Sequence, residues 1–566
     1  MTSVLRAARR AVRFLGNAVR PGVEVVPVEA MAVDWDVPIA MRDGTVLRAN
    51  VFRPHGQGPF PVIMSAHPYG KDKIPAKTRT GRGPPLQSRF LPQPHPIRIS
   101  AYTSWEAPDP AVWVDAGYAV VNADLRGGGT SDGIADLFSD EEARDYYELI
   151  EWAGTQGWSN GRVGLDGASY LAISQYKVAA LQPPHLTAIC PWEGLTDVYR
   201  DFARPGGVLE NGFSKLWSRL TGREARVRAS LYDAICAHPE RDEWYAARTP
   251  RIEDIAVPIL VCGSFSDHLL HSRGSFELFR RAGSRDKWLY THRDGKWCAY
   301  YGAEATATRR RFFDHFLKRE DNGWEHEPRV RLAIADDGPE PAAVMYEDAW
   351  PPADIQWRRL RLDAGSGAMH DATDGFLPAS ASLRLPDGRV SFVWTVEQDL
   401  DVIGPMALYL DVLLRDGADA LLFAGLRKLR GRREAVFEGS YGFSGDMVST
   451  GWQRIAHRTI DAALSTPAAP VHTYTSPEPA RPGEVVRVAI ALRPHATRLR
   501  AGDRLRLDLQ GRWFYPYNPL FGQFPAAYQA SPVDRCTILT GGPDGAYLLL
   551  ATRPPRGDLS MPGRAA

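Results

Sequence analysis

Apolar residues gather in short runs over the first half of the chain. Pro61 to Ala66, Gly117 to Asp124, Val163 to Ala168, Leu186 to Pro191, Val257 to Gly263 and Lys287 to His292 are mostly apolar stretches of strand length. Near-continuous rather than alternating runs predict strands buried on both faces, as in a parallel sheet. Helical spacing fills several of the gaps. Residues 139–156 open on Ser139 and an acidic turn, then carry an apolar stripe, and residues 304–318 form a second amphipathic helix. Residues 31–54 read as a hairpin turning at Asp43-Gly44. Residues 72–110 are rich in Pro, Arg and Ser and lack periodicity, so they predict a long loop of the kind that serves function. Residues 193–255 hold aromatic, helix-like pieces and no strand signal, which predicts a helical insertion over the sheet. After about residue 325 the pattern becomes short alternating runs between Gly, Pro and Asp turns, the mark of a β-sandwich.

The expected architecture is therefore α/β with a second, all-β unit. Residues 31–192 and 256–325 would form the α/β domain, residues 193–255 its helical cap, and residues 326–566 the sandwich. Residues 1–30 stand apart. Within them, Val4, Leu5, Ala8, Val12 and Leu15 share one helical face with arginines interspersed, which predicts a helix docked on its own protein, with membrane-surface contact or a targeting role as the alternative. A chain of 566 residues is too long for one core, in keeping with this division.

Chemistry concentrates at Val163-Gly164-Leu165-Asp166-Gly167-Ala168-Ser169-Tyr170. This reads as a buried strand, a cramped turn and a helix, with the Ser169 hydroxyl at the apex, as in a nucleophile elbow. Taken alone, Gly-x-Ser fits a buried helix N-cap serine as well. Its context adds an aspartate and a histidine, each just beyond a later buried strand, in the order Ser169, Asp267, His292. That is the chain order of α/β-hydrolases. Asp197 and Asp294 compete with Asp267, and His268 and His271 with His292. Asp267 and His292 are preferred because they follow the carboxyl ends of strands, where open α/β sheets place ligands.

Charge and cysteines narrow the classes. A net charge of +1 indicates no nucleic-acid or acidic partner. Five scattered cysteines show no metal spacing and no disulfide framework, which fits a reducing cytoplasm. The run Gly127-Gly128-Gly129 follows a strand but lacks the Lys-Ser/Thr ending of a phosphate loop. No cofactor, no metal and no membrane-spanning segment are expected.

The motifs together resemble the CocE/NonD hydrolase family, which takes in cocaine esterase-like acyl esterases, α-amino acid ester hydrolases and S15-type X-Pro dipeptidyl-peptidases. The resemblance runs through Arg42-Asp43-Gly44-Thr45, Pro68-Tyr69, Asp124-x-Arg126-Gly127-x-Gly129-x-Ser131-x-Gly133 and Asp145-x-x-Glu148-x-Ile150-Glu151-Trp152. It continues through Trp158-Ser159-Asn160-Gly161, Gly167-x-Ser169-Tyr170, Phe313-Asp314-x-x-Leu317-Lys318, Asp401-x-x-Gly404-Pro405 and Arg500-x-Gly502-Asp503. It implies an α/β-hydrolase domain with a helical cap and a C-terminal jelly-roll. It further implies Ser169 as nucleophile, Asp267 as acid, His292 as base, and an oxyanion hole from the Tyr69 hydroxyl and the Tyr170 amide. Two departures stand out. Leu171-Ala172 replaces the usual Gly-Gly, and Leu289-Tyr290-Thr291-His292 replaces the usual Gly-Pro-Trp-x-His.

The expected reaction is acyl-ester hydrolysis through an acyl-enzyme, with amides second. Trp105, Trp192, Phe213, Trp217 and Phe265 are candidate lining residues. An X-Pro peptidase would need a carboxylate for the substrate amine, for which Glu193, Glu210 and Asp197 are candidates. A non-enzymatic alternative is a carbohydrate-binding protein with an inert hydrolase half. Oligomeric state stays open at this level, a homodimer included.

Overall fold

The computed structural model describes residues 2–556, apart from residues 29, 80, 268, 339, 372–376, 443–444, 516–525 and 543–544; the side chains of residues 2–7, 9 and 10 are also outside the description. The first helix, α1 (Thr2–Val19), packs through Phe14. Arg13 pairs with Glu438 at 3.1 Å, and the Asn17 amide donates to the carbonyls of Ser88 and Arg89. Val12, Leu15 and Val19 face outward instead. The helix does dock, but the described part of its apolar stripe is not the docked face.

The hairpin β1 (Ala32–Ala40) and β2 (Val46–Arg53) leads into β3 (Phe60–His67) and β4 (Ala119–Asp124). Then come α2 (Asp140–Gly154), β5 (Ser159–Ala168), α3 (Tyr170–Ala179), β6 (Leu186–Trp192) and, after a helical excursion containing α4 (Phe213–Glu224), β7 (Ile259–Ser264). Helix α5 (Ser272–Arg281), β8 (Lys287–His292), α6 (Lys296–Tyr300) and α7 (Ala303–Phe313) follow. In space the strands run β1-β2-β4-β3-β5-β6-β7-β8, parallel from β4 onward. Alternate side chains of each strand enter different cores. Val62 and Met64 join one apolar cluster, while Ile63 joins the other with Val120, Cys190 and Leu260. That explains the unbroken apolar runs, since both faces are covered.

The sheet does not stop where the composition changes. Strand β9 (Val330–Ala335), read from sequence as the first sandwich strand, pairs in parallel with β8 through Leu289–Val330 and carries an antiparallel partner, β10 (Pro341–Glu347). The strand-rich half has its own core of Leu, Val, Ile and Phe side chains, and its long strands β11 (Leu400–Leu413) and β12 (Val485–Leu499) pair antiparallel. Within residues 72–110 lies a strand, Ile97–Ser100, which pairs in parallel with Val23–Val26. Four residues are too few for a periodic signal, so the segment read as loop.

The glycine run after β4 has a structural reason. A Cβ on Gly129 would sit 2.1 Å from an Asp124 carboxylate oxygen, and one on Gly128 would sit 3.2 Å from the Pro68 Cα. The run lets the chain fold tightly around Asp124 and lets the Pro68-Tyr69 segment approach. Arg126 then anchors the turn. It donates to both Asp145 oxygens at 2.7 and 2.8 Å and to Asp43 and Thr45 at 2.7 Å. The Asp145 side chain is fully buried. Among the described residues no helix is long and apolar enough to cross a membrane.

Removing the guanidinium would leave the buried Asp145 carboxylate with Arg42, 3.1 Å from Oδ1, in place of the bidentate Arg126. Arg126→Met is expected to lower stability by about 3 kcal/mol, read as a fall in the denaturant midpoint, with Arg126→Lys losing less.

Candidate functional site

Strand β5 ends in a turn that only a small residue tolerates. A Cβ on Gly167 would meet Leu171 Cβ at 2.5 Å. The bulky Leu171, which departs from the family's glycine, thus packs into space that Gly167 leaves free. Ser169 follows with φ 60 and ψ −118, a sparsely populated conformation for a side-chain-bearing residue. Its amide donates to the Trp192 carbonyl at 3.0 Å, and its carbonyl accepts from Ala172 and Ile173 at 2.9 Å. Two further non-glycine residues with positive φ stand beside it, Glu106 (62) and Glu193 (54). They are tied to the same turn, since the Ala168 amide donates to the Glu106 carbonyl and Glu193 follows Trp192 directly.

The imidazole that meets Ser169 is His271. Ser169 Oγ lies 3.3 Å from His271 Nε2, and His271 Nδ1 lies 2.5 Å from Asp267 Oδ2. All three side chains are buried. Asp267 and His271 are four residues apart on the turn between β7 and α5, where the Asp267 carbonyl accepts from Ser272 and Oδ1 from Leu270. The structure thus brings Ser169 and Asp267 together as expected from sequence, but through His271. His292 ends β8, stacks on Trp192 at 5.7 Å and puts Nε2 3.0 Å from Glu193 Oε1. Its Nδ1 accepts from the Asp294 amide. The signal for His271 was its i, i+4 spacing from Asp267, which places both side chains on one turn; the preference for a later strand end hid it.

Tyr69 and Tyr170 adjoin this group. The Tyr69 hydroxyl accepts from Trp217 Nε1 at 3.1 Å, and its ring meets the Tyr170 ring at 5.9 Å. Burial and the nearby Glu106 raise the Tyr69 hydroxyl well above its ordinary pKa, so it stays protonated. The Tyr170 hydroxyl donates to Glu142 at 2.6 Å. Only its backbone amide, in the first turn of α3 where no helical acceptor exists, is available to a ligand.

The other residues singled out from sequence separate into two groups. Trp217 and Phe213 lie by the site, the latter 6.1 Å from the Tyr441 ring. Trp192 and Phe265 are core residues, packed on Tyr290 and Tyr300 and on Phe276 and Trp350 respectively. Trp105 packs on Trp297 at 5.0 Å, among the apolar side chains of Ile97 and Ile99. Glu210 accepts from the amides of Gly212, Phe213, Ser214 and Ala527, and Asp197 pairs with Arg200 and Arg241. Neither is available to a substrate amine.

Sequence reasoning did not single out Lys296, Glu106 or the 437–442 segment of the strand-rich half. Lys296 is fully buried, with Nζ 3.0 Å from His271 Nδ1, 3.3 Å from Asp267 Oδ2 and 3.5 Å from Glu193 Oε2. Glu193, Asp267 and His271 bring ligand atoms within 4.8 Å of one another, a donor set that suits a cation. The Lys296 ammonium fills that role. Burial raises the Glu106 carboxyl to about 8, against the pull of Lys296 and a hydrogen bond from Trp297. Ser440 donates to Glu193 Oε2 at 3.0 Å, and its carbonyl accepts from the Lys296 amide at 2.7 Å. Tyr441 lies under the ammonium at 4.7 Å. A Cβ on Gly442 would strike the Pro92 carbonyl, so this loop docks by close backbone approach.

Comparisons with known proteins bear on the family and the fold. Residues 43–233 match the family model of X-Pro dipeptidyl-peptidase (S15 family), and residues 322–528 that of the X-Pro dipeptidyl-peptidase C-terminal non-catalytic domain. Cocaine esterase from Rhodococcus is 26% identical over 401 residues, 61% of this chain and 64% of that protein, so the chain spans less than two thirds of that relative's length. An α-amino acid ester hydrolase shares the fold at a TM-score of 0.65 and 16% identity, over 93% of this chain and 98% of that one. A solved hydrolase from Staphylococcus aureus is 35% identical with a TM-score of 0.87, over 93% of this chain and 94% of that one. With that identity sustained across both halves, the chain belongs to the CocE/NonD family of hydrolases.

Proposed function

We propose that this chain is a serine hydrolase that cleaves acyl esters, with Ser169 as nucleophile, His271 as base and Asp267 as the acid that orients it. The hydrogen-bonded line from Ser169 Oγ through His271 to Asp267 carries this reading. His271 Nδ1–H donates to Asp267, which leaves the Nε2 lone pair to take the serine proton as Oγ attacks the acyl carbonyl. Burial and Lys296 lower the His271 pKa, so the ring is neutral and ready to accept a proton at neutral pH. The carbonyl oxygen, now anionic, takes hydrogen bonds from the Tyr69 hydroxyl and the Tyr170 amide. Collapse expels the alcohol, protonated by His271, and leaves an acyl-enzyme. Water, activated by the same imidazole, releases the acid and restores Ser169.

Esters are favoured over free-amine peptides by the state of the carboxylates. Recognition of an ammonium needs an unpaired anion at the site. Asp197 and Glu210 are consumed by arginines and backbone amides, and Glu193 faces Lys296, His292 and Ser440. Trp217 and Phe213 are half-buried aromatic surface beside the Tyr69 hydroxyl and Tyr441, which suits an apolar acyl or alcohol group.

Turnover of p-nitrophenyl acyl esters should be abolished by Ser169→Ala, along with fluorophosphonate labelling, while the circular dichroism spectrum is unchanged. His271→Ala should lower kcat by about 10⁴ or more and His292→Ala by far less; equal losses, or a larger loss at His292, would reject the assignment of the base. Tyr69→Phe should lower kcat by roughly 10²-fold through loss of one oxyanion donor, with KM little changed. Ala-Pro-p-nitroanilide should be a poor substrate, and acetylating its amine should not slow cleavage further.

A further inference from the structure

Behind the imidazole, the Lys296 ammonium and Asp267 compete for one nitrogen. Nδ1 of His271 is 2.5 Å from Asp267 Oδ2 and 3.0 Å from Lys296 Nζ. An ammonium has only donors, and a neutral imidazole has one donor and one acceptor nitrogen. With the proton on Nδ1, the ring donates to Asp267 and its Nε2 can accept from Ser169. With the proton on Nε2, Nδ1 accepts from Lys296 and the ring cannot serve as base. The shorter contact and the negative charge favour the first tautomer. The ammonium therefore acts on His271 chiefly through its charge.

A fully buried ammonium persists only among anions. Glu193 Oε2 at 3.5 Å and Asp267 Oδ2 at 3.3 Å supply them. Glu193 is in turn held by Ser440 Oγ and faces His292. The titratable and charged groups around His271 are thus Asp267 on its own turn, Lys296 of α6 and Glu193 after β6; Glu106, Tyr441 and Tyr528 act at longer range on Asp267. Lys296 is the positive member of this set, 3.0 Å from the nitrogen that already carries the ring's proton, while the second proton of an imidazolium enters at Nε2 on the Ser169 side.

We propose that Lys296 is a positioning residue that holds His271 in its neutral, base-competent form in acidic solution, with Glu193 as the counterweight that limits the effect. The inference rests on the serine-hydrolase reading and deepens it. The sign follows from the charges. A positive neighbour disfavours the imidazolium, so its removal shifts protonation of His271 to higher pH, and removal of the negative Glu193 shifts it to lower pH. Burial and Lys296 both lower the His271 pKa, in the same direction.

The rate of Ser169 phosphonylation by a fluorophosphonate reports the neutral fraction of His271 without knowledge of the natural substrate. We would measure it across about pH 4.5 to 9 for the wild type, Lys296→Met, Glu193→Gln and the double variant. The acid limb should move up by about one pH unit or more in Lys296→Met, move down in Glu193→Gln, and lie between these in the double variant. His271→Ala should erase the limb. Coincident limbs in labelled, folded proteins would overturn the role of Lys296 and leave the hydrolase reading intact. Absence of labelling in the wild type would overturn the hydrolase reading itself, and this inference with it. Should Lys296→Met fail to fold, Glu193→Gln decides alone, since an unmoved limb there contradicts the proposal.

Discussion

The geometry of the site rests on one strained residue. Ser169 stands at φ 60 between the sheet and the start of a helix. A backbone in that region costs on the order of 1–3 kcal/mol and survives only if its surroundings over-determine it. Here a strand carbonyl takes the serine amide, two helical amides take its carbonyl, and Leu171 fills the void beside Gly167. Relaxing the turn would break all of these at once. The direction of the Ser169 hydroxyl is thus fixed by packing, before any partner of that hydroxyl is considered.

The second constraint is electrostatic. Asp267, Glu193, Glu106, His271, His292 and Lys296 lie together with almost no solvent. Burying that many ionisable groups is unfavourable unless charges cancel and polar atoms are bonded. Lys296 offsets the carboxylates, burial keeps Glu106 largely protonated at neutral pH, and Asp267 is held well below its usual range, as His271 and Lys296 outweigh its burial. The set works as a unit, so a change at one member is felt by the rest.

Much of this could be read from the sequence. The parallel strands announced themselves because both faces are apolar, and the serine turn only once its context, an aspartate and a histidine beyond later strands, was set beside a Gly-x-Ser that a helix N-cap explains as well. The ring beside Ser169 was harder. His271 and His292 both follow buried strands, and only the three-dimensional turn shows that Asp267 reaches its fourth neighbour. Trp192 and Phe265 misled because aromatic residues near a site and aromatic residues beneath it look alike in one dimension. Lys296 left no signal, since a buried lysine is rare and its partners come from four separate parts of the chain. The β9 pairing was hidden because a strand that continues a sheet past its parallel run has the same short alternating pattern as a strand of the next domain.

The 437–442 loop has a consequence for biosynthesis. It supplies Ser440 to Glu193 and Tyr441 to the ammonium, yet it emerges from the ribosome roughly 270 residues after Ser169. Domains made early generally fold early, at about 5–20 residues per second. The amino-terminal half therefore spends tens of seconds with its charged interior open to water. In that interval the nascent chain holds its serine without the wall that dries and aligns the surrounding charges, and the finished cleft dates from the arrival of the later half.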